Sequence, residues 1–190
     1  MAAHEDRRTR KTKKAMTDAL ARLLLEKPLN SISVKEIADI ADINRGTFYL
    51  HYRDVYDMAE QIQIEIFGKF AEIVEMYVHE KKNDELFPMM VAVFNLLKEN
   101  SELAKVLIGK NGDAGFVDKL KNIIREKCFS NIRTVFNFKN DGEFDYFCNY
   151  IVSGCIGLCN AWLLNDMKET PAEMAEFCEK LILKGAEAIM

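Results

Sequence analysis

The stretch SISVKEIADIADINRGTFYLHYRD, from Ser31 to Asp54, limits what this chain can fold into more tightly than any other. Ser33 and Glu36 have the spacing of a capping box, which opens a helix whose inner face is Val34, Ile37 and Ala38. Ala41-Asp42-Ile43-Asn44 then forms a sharp turn, and Asn44 is a good N-cap for a second short helix. Phe48 anchors that helix inward, while Arg45, Gly46, Thr47 and Tyr49 face out. A short helix with hydrogen-bonding groups exposed near its N-terminus has the shape that enters the DNA major groove.

The chemistry of the outward residues fits that partner. Arg45 can reach guanine O6 and N7 together, and Thr47 can offer a hydroxyl to a base or phosphate or a methyl to thymine. Gly46 lets the backbone come close to the duplex, at some cost in helix propensity. Tyr49 and His51 suit phosphate oxygens. The candidate DNA contacts are Ser33, Asn44, Arg45, Gly46, Thr47, Tyr49, His51, Tyr52 and Arg53. Just upstream, Arg7 to Lys14 holds six positive charges and no negative ones, a segment placed to lie along an adjacent groove.

The charge balance agrees. Residues 1–53 carry 11 Lys and Arg against 7 Asp and Glu, whereas the remainder carries 15 against 23. A basic end on an acidic body directs one end toward a polyanion. With 49% apolar residues, 29% charged residues and only 3 prolines, the chain has the makings of an ordered core. Strand signals are almost absent, and helical spacing predicts about nine helices. These are expected near 8–27, from Ser33, from Asn44, and over 54–79, 86–99, 101–108, 116–138 and 143–166. The last starts at the Thr170-Pro171-Ala172-Glu173 capping box. The expected class is all-α: a helix-turn-helix domain over 1–53 and a helical body over 54–190.

The residues around the turn resemble the N-terminal pattern of the tetracycline-repressor (TetR) family. The resemblance rests on Ser33-Val34, Glu36-Ile37-Ala38, Ala41, Gly46-Thr47-Phe48-Tyr49 and His51-Tyr52, and with the flanking helices covers about residues 8–66. Two positions depart from the pattern. Asp42 stands where a turn glycine is usual, and aspartate tolerates the left-handed backbone better than most residues. Val55 stands where lysine is common, which removes a phosphate contact that Arg53 could replace.

The resemblance implies a homodimer with a ligand-binding and dimerisation body, acting in the bacterial cytoplasm. It implies a regulator, expected to be a repressor released from a palindromic operator by a small apolar or aromatic effector. The alternatives are an activator, or a helical protein-interaction module without an effector. Phe67, Phe70, Phe94, Phe116, Phe129 and Phe147 are the candidate ligand-pocket residues, and Gly154, Gly157, Ala161, Trp162, Phe177 and Leu181 the candidate dimer surface.

Other classes find little support. No nucleophile motif, Gly-rich phosphate loop or metal-spaced His/Glu set is present, so no enzyme, cofactor or metal is expected. No uninterrupted apolar run of 18 residues suggests a membrane span. The N-terminal residues lack the apolar core of a secretory signal. Cys128, Cys148, Cys155, Cys159 and Cys178 are expected as free thiols in a reducing compartment, small apolar fillers by default.

Overall fold

The computed structural model describes residues 7–78, 86–108, 114–135 and 140–187, and among these every regular element is helical. In chain order they are α1 (Arg7–Glu26), α2 (Val34–Ile40), α3 (Arg45–Tyr49), α4 (Val55–Val78), α5 (Leu86–Glu99), α6 (Ser101–Ile108), α7 (Ala114–Val135), α8 (Asp141–Leu164) and α9 (Pro171–Glu187). A 3-10 turn at Leu29–Ser31 follows Pro28 and separates α1 from α2. The expected all-α architecture is the observed one. The chain forms two compact units, Met1–Ile66 and Phe67–Met190, which divide within α4 rather than after Arg53.

In the first unit, α1 turns Met16, Ala19, Leu20 and Leu23 into the core, α2 supplies Ile37 and Ala38, and α3 supplies Phe48. Met58 and Ile62 from the first turns of α4 are buried as well, which is why this unit runs past Arg53. The start of α2 is chemically fixed. Ser33 Oγ accepts from the Glu36 amide at 3.3 Å, and the Ser33 amide donates to Glu36 Oε2 at 3.0 Å. This is the expected capping box.

In the second unit, α5 lies along α9, and α8 packs against α6, α7 and α9. One cluster joins Phe144, Phe147, Cys148, Ile151 and Val152, with Ile124 of α7 and Ile182 of α9 packed on it. Elsewhere, the Phe94 and Trp162 rings meet edge to face with centroids 5.3 Å apart. Asp166 and Met167 both take the left-handed backbone in the turn after α8, with φ of 56° and 51°. The Trp162 indole N–H donates to the Glu169 carbonyl at 3.0 Å and holds that turn shut. The second capping box also forms, with the Thr170 amide donating to Glu173 Oε2 at 2.7 Å and the Glu173 amide to Thr170 Oγ1 at 3.2 Å.

The expectation that no segment has the length and hydropathy of a membrane span needs correction. α8 has 24 residues and a window of mean hydropathy 1.4, so by length and composition alone it could cross one. Asn149, Ser153 and Asn160 interrupt the apolar run without lowering its average below that mark. Its buried face packs on neighbouring helices of its own unit, as a core helix does.

Candidate nucleic-acid interface

The turn from α2 into α3 is built from local chemistry. α2 ends in a left-handed residue, Asp42, at φ 52°. The Ile43 amide donates to the Ala38 carbonyl at 3.0 Å, closing a Schellman-type stop. Aspartate thus fills the usual glycine position, as the sequence suggests. Asn44 then caps α3: its Oδ1 accepts from the Gly46 amide at 2.8 Å, and its carbonyl accepts from the Thr47 amide at 2.8 Å. Five residues make a poor helix alone, since nucleation is costly. The cap and the fully buried Phe48 hold it, with Phe48 edge-on to Tyr49 at 5.6 Å and tilted against Tyr52 at 5.6 Å.

The outward face of α3 is open to solvent. Arg45 and Gly46 are exposed, Thr47 is half-buried, and Tyr49 is 59% exposed. Among the described residues no ion pair holds Arg45, so its guanidinium fork is available. A Cβ at Gly46 would meet only Asn44 Oδ1, at 3.4 Å, so the fold itself has room for a side chain there. Leu50, which sequence reasoning passed over, is 80% exposed beside Tyr49; its signal was an apolar residue off the Phe48 face.

Three expected contacts sit differently. Tyr52 is 5% exposed and packs on Phe48, so its ring serves the core of this unit, and its expected place among the DNA contacts is corrected. Arg53 points into solvent but is not a free cation: its Nη2 donates to Asp57 Oδ1 at 2.9 Å, and its amide to Asp57 Oδ2 at 2.8 Å. Val55 follows two residues later. It is buried at the start of α4. Ser33 is exposed, with its hydroxyl donating to Glu36 Oε2 at 2.8 Å, so a phosphate would have to share it. His51 is half-buried with its ring 6.3 Å from that of Tyr52.

Two carboxylates brace the unit. Lys27 and Ser33 hydrogen-bond Glu36 and hold its carboxyl down at about 2, below its usual 4.5. Arg53 and Gln61 do the same for Asp57, also to about 2 from 3.8. Both folded-state values lie below the unfolded ones, so the stabilisation is fully present above about pH 4.5 and is lost as pH falls through the folded values. Acid should therefore lower the melting temperature between pH 4.5 and 2. The Glu36→Gln protein should show a shallower slope in that window by circular dichroism, and an unchanged slope would remove Glu36 from this role.

In the α1 segment, Arg7, Arg8, Arg10, Lys11 and Lys14 are exposed, and Lys14 pairs with Asp18 at 3.1 Å. The basic stripe therefore faces solvent on the same unit as α3.

The second unit does not gather the six aromatic residues into one place. Phe67 stacks on Phe116 at 4.5 Å, Phe94 sits against Trp162, and Phe147 belongs to the α7–α8–α9 cluster. Phe70 is buried on α4, and the Phe129 side chain lies outside the described residues. A cleft of about 370 Å³ between α7 and α8 is lined instead by Asp118, Lys121, Asn122, Arg125, Cys148, Asn149 and Val152. Arg125 is tied there to Asp145 at 2.5 Å.

Of the candidate dimer residues, Gly154, Gly157 and Ala161 are exposed on α8 and Phe177 and Leu181 on α9. Cβ atoms at Gly154 and Gly157 would meet open space. Trp162 is corrected: at 2% exposure it faces its own chain's core and has no surface to give a partner.

Comparison with known proteins agrees with this geometry. The family model described as bacterial regulatory proteins, tetR family, matches residues 16–62, and that described as transcriptional regulator C-terminal region matches residues 84–184, more than half of the chain. YxbF, an uncharacterized HTH-type transcriptional regulator of Bacillus subtilis (strain 168), is 30% identical over 73 residues, 34% of this chain and 19% of that protein. An uncharacterized HTH-type transcriptional regulator of Haemophilus influenzae is 27% identical over 107 residues, 55% of this chain and 57% of that protein. The chain thus spans less than two thirds of the length of either. The solved transcriptional regulator FadR from Bacillus subtilis, in complex with stearoyl-CoA, shares the fold with a TM-score of 0.67 and 20% identity, covering 90% of this chain and 98% of that one. With a capped, solvent-facing α3 and family matches over both units, the chain belongs to the TetR family of bacterial regulatory proteins.

Proposed function

We propose that this protein is a homodimeric repressor that reads a palindromic operator in the cytoplasm and is released by an apolar effector. The observation that carries the reading is α3: a capped helix, anchored by Phe48, with Arg45, Thr47 and Tyr49 turned to solvent. The space at Gly46 supports it, because glycine there serves an approaching partner and not the protein's own packing. Two such helices about 34 Å apart, one from each subunit, match successive major grooves. The α8 and α9 faces bearing Gly154, Gly157, Ala161, Phe177 and Leu181 supply the subunit contact in this reading.

For the effector, the FadR structure holding stearoyl-CoA makes a long-chain acyl thioester the first class to test. Phe67, Phe70, Phe94, Phe116 and Phe147 give the second unit apolar surface suited to an acyl chain, although at separate places. The effector shifts the regulator off DNA only by as much as it prefers the non-binding arrangement.

Selection from random duplex DNA, repeated across a salt series, tests the reading. Enrichment of a two-fold symmetric site with a steep salt dependence is expected, each neutralised phosphate adding about 0.9 to the slope. Adding stearoyl-CoA should then weaken binding to that site. No enriched sequence would defeat the operator reading, and an enriched site indifferent to acyl thioesters would defeat only the effector class. Arg45→Ala should weaken operator binding by about 1–3 kcal/mol while barely changing binding to random duplex, since a bidentate base contact carries that much discrimination. Equal loss on both would remove Arg45 from base reading.

A further inference from the structure

Four cysteines have described side chains, and they are not equivalent. Cys148, Cys159 and Cys178 are buried, at 3%, 7% and 2% exposure, while Cys155 is only partly covered. Cys155 on α8 and Cys178 on α9 face each other with their sulfurs 3.6 Å apart. They come from different helices, 23 residues apart in the chain, so the meeting is made by tertiary packing. A partly accessible thiol beside a sheltered one is the arrangement of an attacking and a resolving cysteine.

We propose that Cys155 and Cys178 form a peroxide-oxidisable pair that closes to a disulfide between α8 and α9. The oxidant is a hydroperoxide, with hydrogen peroxide the simplest member. The Cys155 thiolate attacks one peroxide oxygen, the O–O bond breaks, and the departing oxygen leaves as water after taking a proton. Cys155 is then a sulfenic acid. The Cys178 sulfur gives up its proton and attacks the Cys155 sulfur, the S–O bond breaks, and a second water leaves. Two thiols and one peroxide become one disulfide and two waters, so the pair loses the two electrons that the peroxide gains.

The surroundings favour this order. The hydrogen bond from Cys178 holds the Cys155 thiol below its usual range, and burial opposes it only in part. Cys178 is pushed up, chiefly by that same hydrogen bond, so it keeps its proton while Cys155 is a thiolate. Once Cys155 has become a neutral sulfenic acid, that cause is gone and Cys178 is easier to ionise. Cys159, one turn along α8, is pushed up to about 12 by burial first and the Cys155 charge second, which leaves it a bystander thiol. The sulfurs must approach from 3.6 Å to about 2.05 Å to bond. The resulting bond would fasten together the two helices that carry Gly154, Gly157, Phe177 and Leu181.

The test is oxidation of the full-length reduced protein with one equivalent of hydrogen peroxide, then alkylation and tryptic mapping without reductant. Cleavage after Lys168 separates the peptide holding Cys155 from the one holding Cys178. A linked pair of these peptides, parted by dithiothreitol, is expected, and it should persist in the Cys148→Ala and Cys159→Ala proteins. In Cys178→Ala, dimedone should trap Cys155 as its sulfenic acid. In Cys155→Ala, Cys178 should stay unmodified. A sulfinic acid at Cys155 with Cys178 still free in the wild-type protein would overturn the proposal, as would a link to Cys148 or Cys159 instead. Cys148, Cys155 and Cys159 share the tryptic peptide 140–168, so fragmentation of the linked pair by tandem mass spectrometry assigns the bonded cysteine, and the wild-type map then decides the matter even if a variant fails to fold.

Discussion

Replacing Phe48 with alanine is expected to destabilise the N-terminal unit by about 3–5 kcal/mol, the usual cost of emptying a fully buried phenylalanine site. Phe48 is 0% exposed and touches both Tyr49 and Tyr52 with its ring, so the change removes the one apolar anchor of a five-residue helix. Total stabilities of domains run only to about 5–15 kcal/mol, so this unit should be largely unfolded near physiological temperature. Urea denaturation followed by circular dichroism measures the loss. DNA binding should fall on operator and random duplex together, the opposite of the selective loss expected for Arg45→Ala. A Phe48→Ala protein of wild-type stability would mean that α3 is held by something other than this anchor.

The Trp162→Ala change should have a comparable effect in the second unit, about 3–5 kcal/mol. It deletes the edge-to-face contact with Phe94 and also the indole donor that ties Glu169. Trp162→Phe separates the two terms, because it keeps a ring but leaves the Glu169 carbonyl without that partner, and about 0.5–1.5 kcal/mol is expected. Protein concentration provides the control. Loss of an intrachain core contact lowers the melting temperature equally at every concentration, whereas loss of a subunit contact makes the deficit shrink as concentration rises. A deficit that depends strongly on concentration would return Trp162 to the dimer surface.

The two units differ in how much of them was legible in the sequence, for a physical reason. Ser33 with Glu36, Asn44 with Gly46, and Thr170 with Glu173 bond within three residues, so spacing alone predicts them. Asp42 in the left-handed region belongs to the same class, since turn geometry is local. The Arg53–Asp57 pair is also local, at i,i+4, and so is legible from spacing. Trp162 could not be placed that way. Helical periodicity tells which face of α8 is apolar, but not which helix will cover it. The same gap scattered Phe67, Phe94 and Phe147 among different neighbours and concealed the meeting of Cys155 with Cys178.

The apolar stripe on α8 and α9, if it is where two chains meet, bears on abundance as well as on assembly. Tyr146, Tyr150, Leu164, Phe177 and Leu181 all stand more than half exposed on a single chain. If pairing must precede binding, operator occupancy at low copy number rises with the square of the number of chains per cell. A twofold change in expression then alters promoter output by more than twofold, and dilution at cell division acts as a signal in its own right. If that stripe is the subunit contact, its strength sets the copy number at which the gene circuit becomes insensitive to such noise.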